Sequence, residues 1–194
     1  DEFQDWCSRN INFMTYELSG LCEGKSEAER LEILNDFFFN QKDFQITQLS
    51  RNQLRECDCL IRDVLTDRAG GAIPVTILYI HLATQIDLPL VMVNMESMNI
   101  TKWLRGSKCD YVDLTKSGEI LTDEDILNIV TNKRQIEVCT DEAPKLEALT
   151  AKKVLTYYLE DLKECLRRQR ENDLHHAVLS MLLKLDQNNL AYIG

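Results

Sequence analysis

Several features that would quickly assign a protein to a class are missing from this sequence. No apolar run is long enough to cross a membrane, and the first residues, DEFQDWCSRN, contain no signal-peptide core. The seven cysteines are dispersed without the regular spacing of a disulfide scaffold, which favours a reducing compartment. We therefore expect a cytoplasmic protein that does not act at a membrane.

The sequence also has too few positive charges for a typical nucleic-acid-binding protein. Its formal net charge is −10, a balance that repels phosphate backbones and anionic lipid surfaces. The basic stretch at residues 167–170 is interpreted as the solvated end of a helix, where positive charge is favoured. With 44% hydrophobic and 28% charged residues, the composition is otherwise that of an ordinary globular domain.

Sequence patterns for common ligand sites are missing as well. Cys57 and Cys59 are spaced more closely than a zinc half-site requires, and no second pair follows them. The Gly-Gly pair at residues 70–71 lacks the lysine and the spacing of a phosphate-binding loop. The acidic cluster at residues 123–125 falls in a predicted first helical turn, where acids stabilise the helix dipole. The sequence therefore predicts neither a metal site nor a cofactor.

What the sequence does contain is a long apolar stretch at its centre, residues 65–93. The glycines at 70–71 indicate a turn with backbone angles that other residues avoid. Pro74 suits the first turn of a helix, where its missing N–H would have had no partner. Residues 75–86 are apolar on almost every face, which predicts a helix buried on all sides. An Asp-Leu-Pro step ends this helix, and residues 90–93 are predicted to form a strand.

The rest of the chain predicts helices on both sides of short strands. Ser26 and Glu29 form a capping box before an apolar helical pattern, and the triple Phe at 37–39 is interpreted as core packing. Residues 149–194 contain two amphipathic stripes that are similar to one tetratricopeptide hairpin, too little to stand alone, so we expect it to pack on the main domain. Helices are also predicted at residues 5–20, 52–64 and from Thr122, strands at 44–46, 100–104 and 111–114, and a linker at 139–144.

The central residues resemble the core of the transglutaminase-like superfamily, and most closely the SirB-type branch of bacterial regulatory proteins. The resemblance implies an α+β, papain-like core, with a central buried helix on a small antiparallel sheet and N-terminal helices at residues 1–148, followed by the C-terminal helical hairpin at 149–194. It is carried by Gly70-Gly71-Ala72, Leu78-Tyr79-Ile80, Ile86-Asp87-Leu88-Pro89-Leu90 and Leu121-Thr122-Asp123-Glu124-Asp125.

The resemblance also implies where a catalytic triad of Cys, His and Asp would stand. The cysteine position falls on Ala72, the histidine position on Met98, and the aspartate position on Asp113. A methyl group cannot attack a carbonyl and a thioether cannot relay a proton, so the resemblance implies a pseudoenzyme. We name Gly70, Gly71, Ala72, Met98 and Asp113 the remnant cleft, and expect it to bind a protein partner such as a peptide. A regulatory role follows only by analogy with the SirB-type branch.

Two alternatives stay open at this point. Cys109 with Asp113 would give a cysteine-dependent hydrolase or acyltransferase, with His81 as another candidate, although a lone cysteine is more often a small buried apolar residue. A purely structural subunit of a larger complex would instead carry a large exposed apolar patch. Fast thiol alkylation at neutral pH would distinguish the enzyme from both other cases.

Overall fold

The structure, a computed structural model, describes residues 2–93, 100–105, 108–134 and 146–187. The helices are α1 (Glu2–Cys22), α2 (Glu27–Asn35), α3 (Glu56–Cys59), α4 (Ile61–Asp67), α5 (Ala72–Gln85), α6 (Asp123–Arg134), α7 (Ala151–Gln169) and α8 (Asn172–Leu185). The strands are β1 (Gln45–Ile46), β2 (Ala69–Gly70), β3 (Leu90–Met92), β4 (Ile100–Arg105), β5 (Lys108–Asp113) and β6 (Glu119–Leu121). Shorter helical turns lie at Asp36–Gln41, Arg51–Gln53 and Leu114–Lys116. The mixed helix-and-sheet class expected from the sequence is confirmed.

Strands β3 to β6 form an antiparallel sheet in chain order. Side chains alternate between the two faces of a strand. One face therefore sends Leu90, Trp103 and Val112 into the main core beside α5. The other face places Ile100 and Tyr111 in a smaller cluster with α6. The sheet thus has apolar residues on both faces, and the helices of the main core cover one of them.

The central helix is confirmed as α5. It begins at Ala72 and holds Pro74 in its first turn, where the ring costs no helical hydrogen bond. Tyr79 is fully buried in the main core. The prediction of burial on all sides was wrong for the second half of the helix, because His81 and Thr84 lie at the surface.

The N-terminal helices follow the local signals of the sequence with one exception. Ser26 and Glu29 form the predicted capping box, in which the Ser26 N–H donates to the Glu29 carboxylate at 2.9 Å. The end of the first helix was predicted at Gly20, but α1 continues to Cys22. Gly24, with a φ of 70°, takes the left-handed conformation after the helix, which glycine adopts at little cost. The three phenylalanines at 37–39 are buried as predicted.

The helix predicted at residues 52–64 is broken into pieces. A turn at Arg51–Gln53 and the single turn of α3 precede Leu60, whose extended ψ of 125° separates α3 from α4. Helix α4 then ends at Asp67, and the C-cap residue Arg68 has a φ of 57°. The break matters because it lets α3 lie against both the start of α5 and the C-terminal helices.

Helices α7 and α8 form the predicted C-terminal hairpin, which packs on α3 and α5. A second core forms where they meet, with Leu54 and Cys59 from the main domain against Leu162, Leu166 and Leu182 of the hairpin. Along the described parts of the chain, the helices are all too short or too polar for a membrane span. The predicted linker at 139–144 lies outside the described residues.

Candidate functional site

The remnant cleft begins at the junction of β2 and α5. Strand β2 pairs with β1 in parallel, and Gly71 is the N-cap of α5 with a φ of −64°. A Cβ on Gly70 would lie 2.4 Å from Val64 Cγ2, and one on Gly71 would lie 3.1 Å from the Asp58 carbonyl oxygen. A Cβ on Gly70 would therefore require Val64 to move, whereas one on Gly71 would make a tight contact. The prediction that these glycines provide unusual backbone angles was wrong, because the left-handed residue of this turn is Arg68.

The short helix α3 closes over this junction. The Gly71 N–H donates to the Asp58 carbonyl oxygen at 2.6 Å, and a Cβ at Gly71 would also meet Leu54 Cδ2 at 3.2 Å. Gly70 and Gly71 are buried as a result. Access to the start of α5 is therefore limited on the side of α3.

Asp58 keeps a negative charge in this buried place. Its side chain is only 4% exposed, and its carboxylate accepts hydrogen bonds from the Arg55 N–H at 2.8 Å and from the Arg55 guanidinium at 3.1 Å. Burial raises the pKa of Asp58, but the two kinds of hydrogen bond from Arg55 outweigh it, so the pKa of this carboxyl lies below its ordinary value. The sequence did not identify Asp58 as part of this site, because an acidic residue near the start of a helix is common.

Ala72 is the first residue of α5, where a helix dipole would stabilise a thiolate. Its side chain is half-buried, and its carbonyl oxygen accepts a hydrogen bond from the Thr76 hydroxyl at 2.8 Å. A methyl group at this place offers no nucleophile and no proton.

Asp113 stands at the end of β5 and is 5% exposed. Its Oδ1 accepts from the Thr115 N–H at 2.9 Å and from the Thr115 hydroxyl at 2.6 Å. These bonds make it the N-cap of the following helical turn. That turn contacts β1, which pairs with β2 ahead of α5, so the fold brings the end of β5 toward the start of α5.

The remaining predicted residues contribute less to this geometry. Met98 lies outside the described residues. The backbone of Cys109 lies in β5 opposite Leu104, and its side chain is outside what the structure describes. His81 is exposed on α5. Where side chains are described, no group of three or more His, Cys, Asp or Glu residues could hold a metal ion.

Sequence reasoning missed two polar atoms on the face of β4 that turns toward α5. Thr101 Oγ1 and Trp103 Nε1 are both buried, and neither has a hydrogen-bond partner among the described residues. The Arg105 guanidinium lies 4.5 Å from the Trp103 ring centroid. A Thr and a Trp spaced by two residues in a strand carry no sequence signal for this, because burial of their polar atoms depends on the packing of the sheet.

Comparison with known proteins agrees with the fold. A family model described as "Transglutaminase-like superfamily" matches residues 6–160. Proteins named F-box only protein 21 from Mus musculus and from Pongo abelii are each 25% identical over 105 residues, which are 54% of this chain and 16% or 17% of those relatives. The chain thus spans about a sixth of the length of these curated relatives. No solved structure matches it. The chain belongs to the transglutaminase-like superfamily.

Proposed function

We propose that this chain is a non-catalytic transglutaminase-like domain that acts by binding a protein partner at its remnant cleft. The observation that carries the proposal is Ala72, because the first residue of the central helix is where the resemblance places the nucleophile. The N-terminal end of α5 is preserved with its dipole, while its side chain is a methyl group. A cysteine enzyme needs a thiolate at this place.

The hydrogen bonding of Asp113 supports the same proposal. In a triad the carboxylate orients a histidine, whereas both described bonds of Oδ1 run to Thr115 and support a local turn. A carboxylate used in this way stabilises the helical turn that follows β5. The finer assignments, a SirB-type regulator of bacterial cytoplasm with a tetratricopeptide-like hairpin, belong to this proposal and rest on sequence resemblance.

The partner is expected to be a peptide or an extended protein segment. Ala72 is half-buried while the glycines before it are fully buried, which leaves a small apolar contact at the first residue of a helix. The first N–H groups of a helix donate well to carbonyl or carboxylate oxygens. We therefore expect recognition through the partner's backbone or an acidic side chain.

The test is an affinity capture with photo-crosslinking at Ile73, comparing the wild type with Ala72→Arg. His81→Arg, which adds the same charge at an exposed site on the same helix, is the matched control. A protein that crosslinks to the wild type and to His81→Arg, but not to folded Ala72→Arg, supports the proposal. Binding that both variants retain would contradict it.

The enzyme alternative is tested on the same preparations. Hydrolysis or amine incorporation by the wild type that disappears in Cys109→Ser would overturn the non-catalytic assignment. Fast alkylation of Cys109 at neutral pH would point the same way, since a reactive thiolate is required for catalysis. We expect neither result.

A further inference from the structure

Two cysteines meet where the C-terminal hairpin packs on the main domain. Cys59 ends α3 and Cys165 lies in the last part of α7, 106 residues further along the chain. Their sulfur atoms are 3.3 Å apart, and both side chains are almost fully buried in the second core. A disulfide needs the sulfurs at about 2 Å, so a shift of about 1 Å, within the reach of side-chain rotation, would join them.

The surroundings of Cys165 favour its ionised form. Arg168 Nη2 lies 3.5 Å from Cys165 Sγ, and Cys59 shares a hydrogen bond with the same sulfur. The hydrogen bond with Cys59 and the charge of Arg168 lower the pKa of Cys165, although burial and Asp161 oppose them. The same contact and burial raise the pKa of Cys59. Because the guanidinium lies beside the sulfur of Cys165, we assign Cys165 as the nucleophile of the pair and Cys59 as its hydrogen-bond donor.

The neighbouring hydrogen bonds are compatible with ionisation of Cys165. As a thiol, Cys165 can donate to the Leu54 carbonyl oxygen at 3.4 Å. Arg168 Nη2 also donates to that oxygen, at 2.6 Å, so the carbonyl keeps a partner when the thiol loses its proton. Arg168 lies one turn beyond Cys165, and its side chain is 28% exposed.

Simple packing of two thiols does not explain this arrangement. Buried cysteines packed as apolar residues do not need a guanidinium beside one sulfur, and a metal site would need further ligands, which the described residues do not provide here. A cationic side chain next to one thiol of a close pair is the usual environment of a redox-active cysteine.

We propose that Cys59 and Cys165 are a redox pair that a hydroperoxide converts to a disulfide, fastening the C-terminal hairpin to α3. The Cys165 thiolate attacks the terminal oxygen of the hydroperoxide, which forms an S–O bond, breaks the O–O bond and releases hydroxide from hydrogen peroxide or alkoxide from an organic hydroperoxide. The sulfur of Cys59 then attacks the resulting sulfenic acid, which forms the S–S bond, breaks the S–O bond and releases the second oxygen as water with the proton of Cys59. One hydroperoxide is reduced by two electrons as the two thiols are oxidised.

The disulfide acts on the structure around the start of α5. Cys59 follows Asp58, whose carbonyl oxygen holds the Gly71 N–H. Leu54, whose carbonyl oxygen meets both Cys165 and Arg168, packs against Gly71 through its side chain. A bond between Cys59 and Cys165 therefore fixes the cover of the remnant cleft against the hairpin, and reduction frees it to separate.

The test uses the full chain, reduced and then titrated with hydrogen peroxide. Remaining thiols are blocked under denaturing conditions, and peptides are mapped by mass spectrometry. Of the seven cysteines, the first two to be lost should be Cys59 and Cys165, joined in one linked peptide with a mass decrease of about 2 Da for the two hydrogens removed. The oxidised protein should melt at a higher temperature than the reduced protein, because the bond closes a long loop.

Single-cysteine variants distinguish the role of Cys165 as the nucleophile from that of Cys59 as the second thiol. Cys59→Ser should stop at a sulfenic acid on Cys165 that dimedone traps. In Cys165→Ser the remaining Cys59 should be oxidised about tenfold or more slowly than the pair is in the wild type. Cys57→Ser, two residues from Cys59 on the same helix, is the matched control and should form the disulfide normally. A first disulfide between other cysteines, or oxidation of Cys57 while Cys59 and Cys165 stay reduced, would overturn the proposal. The wild-type peptide map decides this even if a variant fails to fold.

Discussion

Two buried threonines near α5 differ in whether the hydroxyl has a partner. Thr101 and Thr76 are both at most 2% exposed. The Thr76 hydroxyl donates to the Ala72 carbonyl oxygen at 2.8 Å, whereas Thr101 Oγ1 has no partner among the described residues. A buried polar atom without a hydrogen bond carries its full desolvation cost. Two hydroxyl groups that are similarly buried therefore have opposite effects on the stability of the fold.

We expect Thr101→Val to increase the free energy of unfolding by about 1 kcal/mol, because valine keeps the shape and removes the unpaired hydroxyl. Thr76→Val is the matched control, and we expect it to decrease that free energy by roughly 0.5–1 kcal/mol. Urea unfolding followed by tryptophan fluorescence measures both. Equal destabilisation by the two variants would mean that Thr101 has a partner.

The glycines at residues 70–71 show what could be predicted at the scale of single residues. A Gly-Gly pair is a local signal, so the sequence alone shows that these two positions matter. The sequence does not show that glycine is used there for close packing, because the neighbouring Val64 methyl group and Asp58 carbonyl oxygen are brought close only by tertiary structure. The left-handed angle falls instead on Arg68, which no residue preference would suggest.

At the scale of elements, α3 depends on one carboxylate. Asp58 accepts from the backbone N–H of Arg55 and from its guanidinium, which caps a helix of only four residues. These bonds need the ionised form. Because the pKa of Asp58 in the folded chain lies below its ordinary value of 3.8, the carboxylate stabilises the fold above that pH and loses this effect as pH falls through the folded-state pKa.

We expect Asp58→Asn to lower the free energy of unfolding by roughly 1–2 kcal/mol at neutral pH, since charged hydrogen bonds are replaced by neutral ones. The difference from the wild type should shrink as pH falls below 3.8, where the unfolded wild type takes up its proton. Unfolding curves at several pH values measure this. A deficit that stays constant down to strongly acidic pH would contradict the assigned role of Asp58.

Local signals predicted some elements well and could not predict others. The capping box at Ser26 and Glu29 is a short-range pattern whose bonds form within one turn, so the sequence alone identifies it. The break at Leu60 has no glycine or proline beside it. It exists because α3 packs on α7 while α4 packs on α1, and such competition between distant partners overrides helix propensity.

At the scale of the whole molecule, the hairpin and the main domain share a core. Leu54 and Cys59 pack with Leu162, Leu166 and Leu182, and the Leu149 N–H donates to the Met92 carbonyl oxygen at 2.8 Å. The boundary predicted at residue 148 rests on a change in sequence pattern. The family match covers residues 6–160 and so continues into α7.

We therefore expect a chain that stops at residue 148 to lose most of its cooperative unfolding. The truncation removes one side of the second core and exposes Leu54 and Cys59. Each large apolar side chain that leaves a core costs about 2–4 kcal/mol, comparable to much of a domain's stability.

Leu182→Ala tests the same core by one side chain and should lower the free energy of unfolding by at least about 2 kcal/mol. Leu174→Ala is the matched control, because Leu174 is half-exposed on the same helix, and it should change that free energy little. Urea unfolding and binding of a hydrophobic dye measure all three. A truncated chain with the midpoint and slope of the wild type would show that residues 2–148 fold without the hairpin, and would separate the fate of the remnant cleft from that of the cysteine pair.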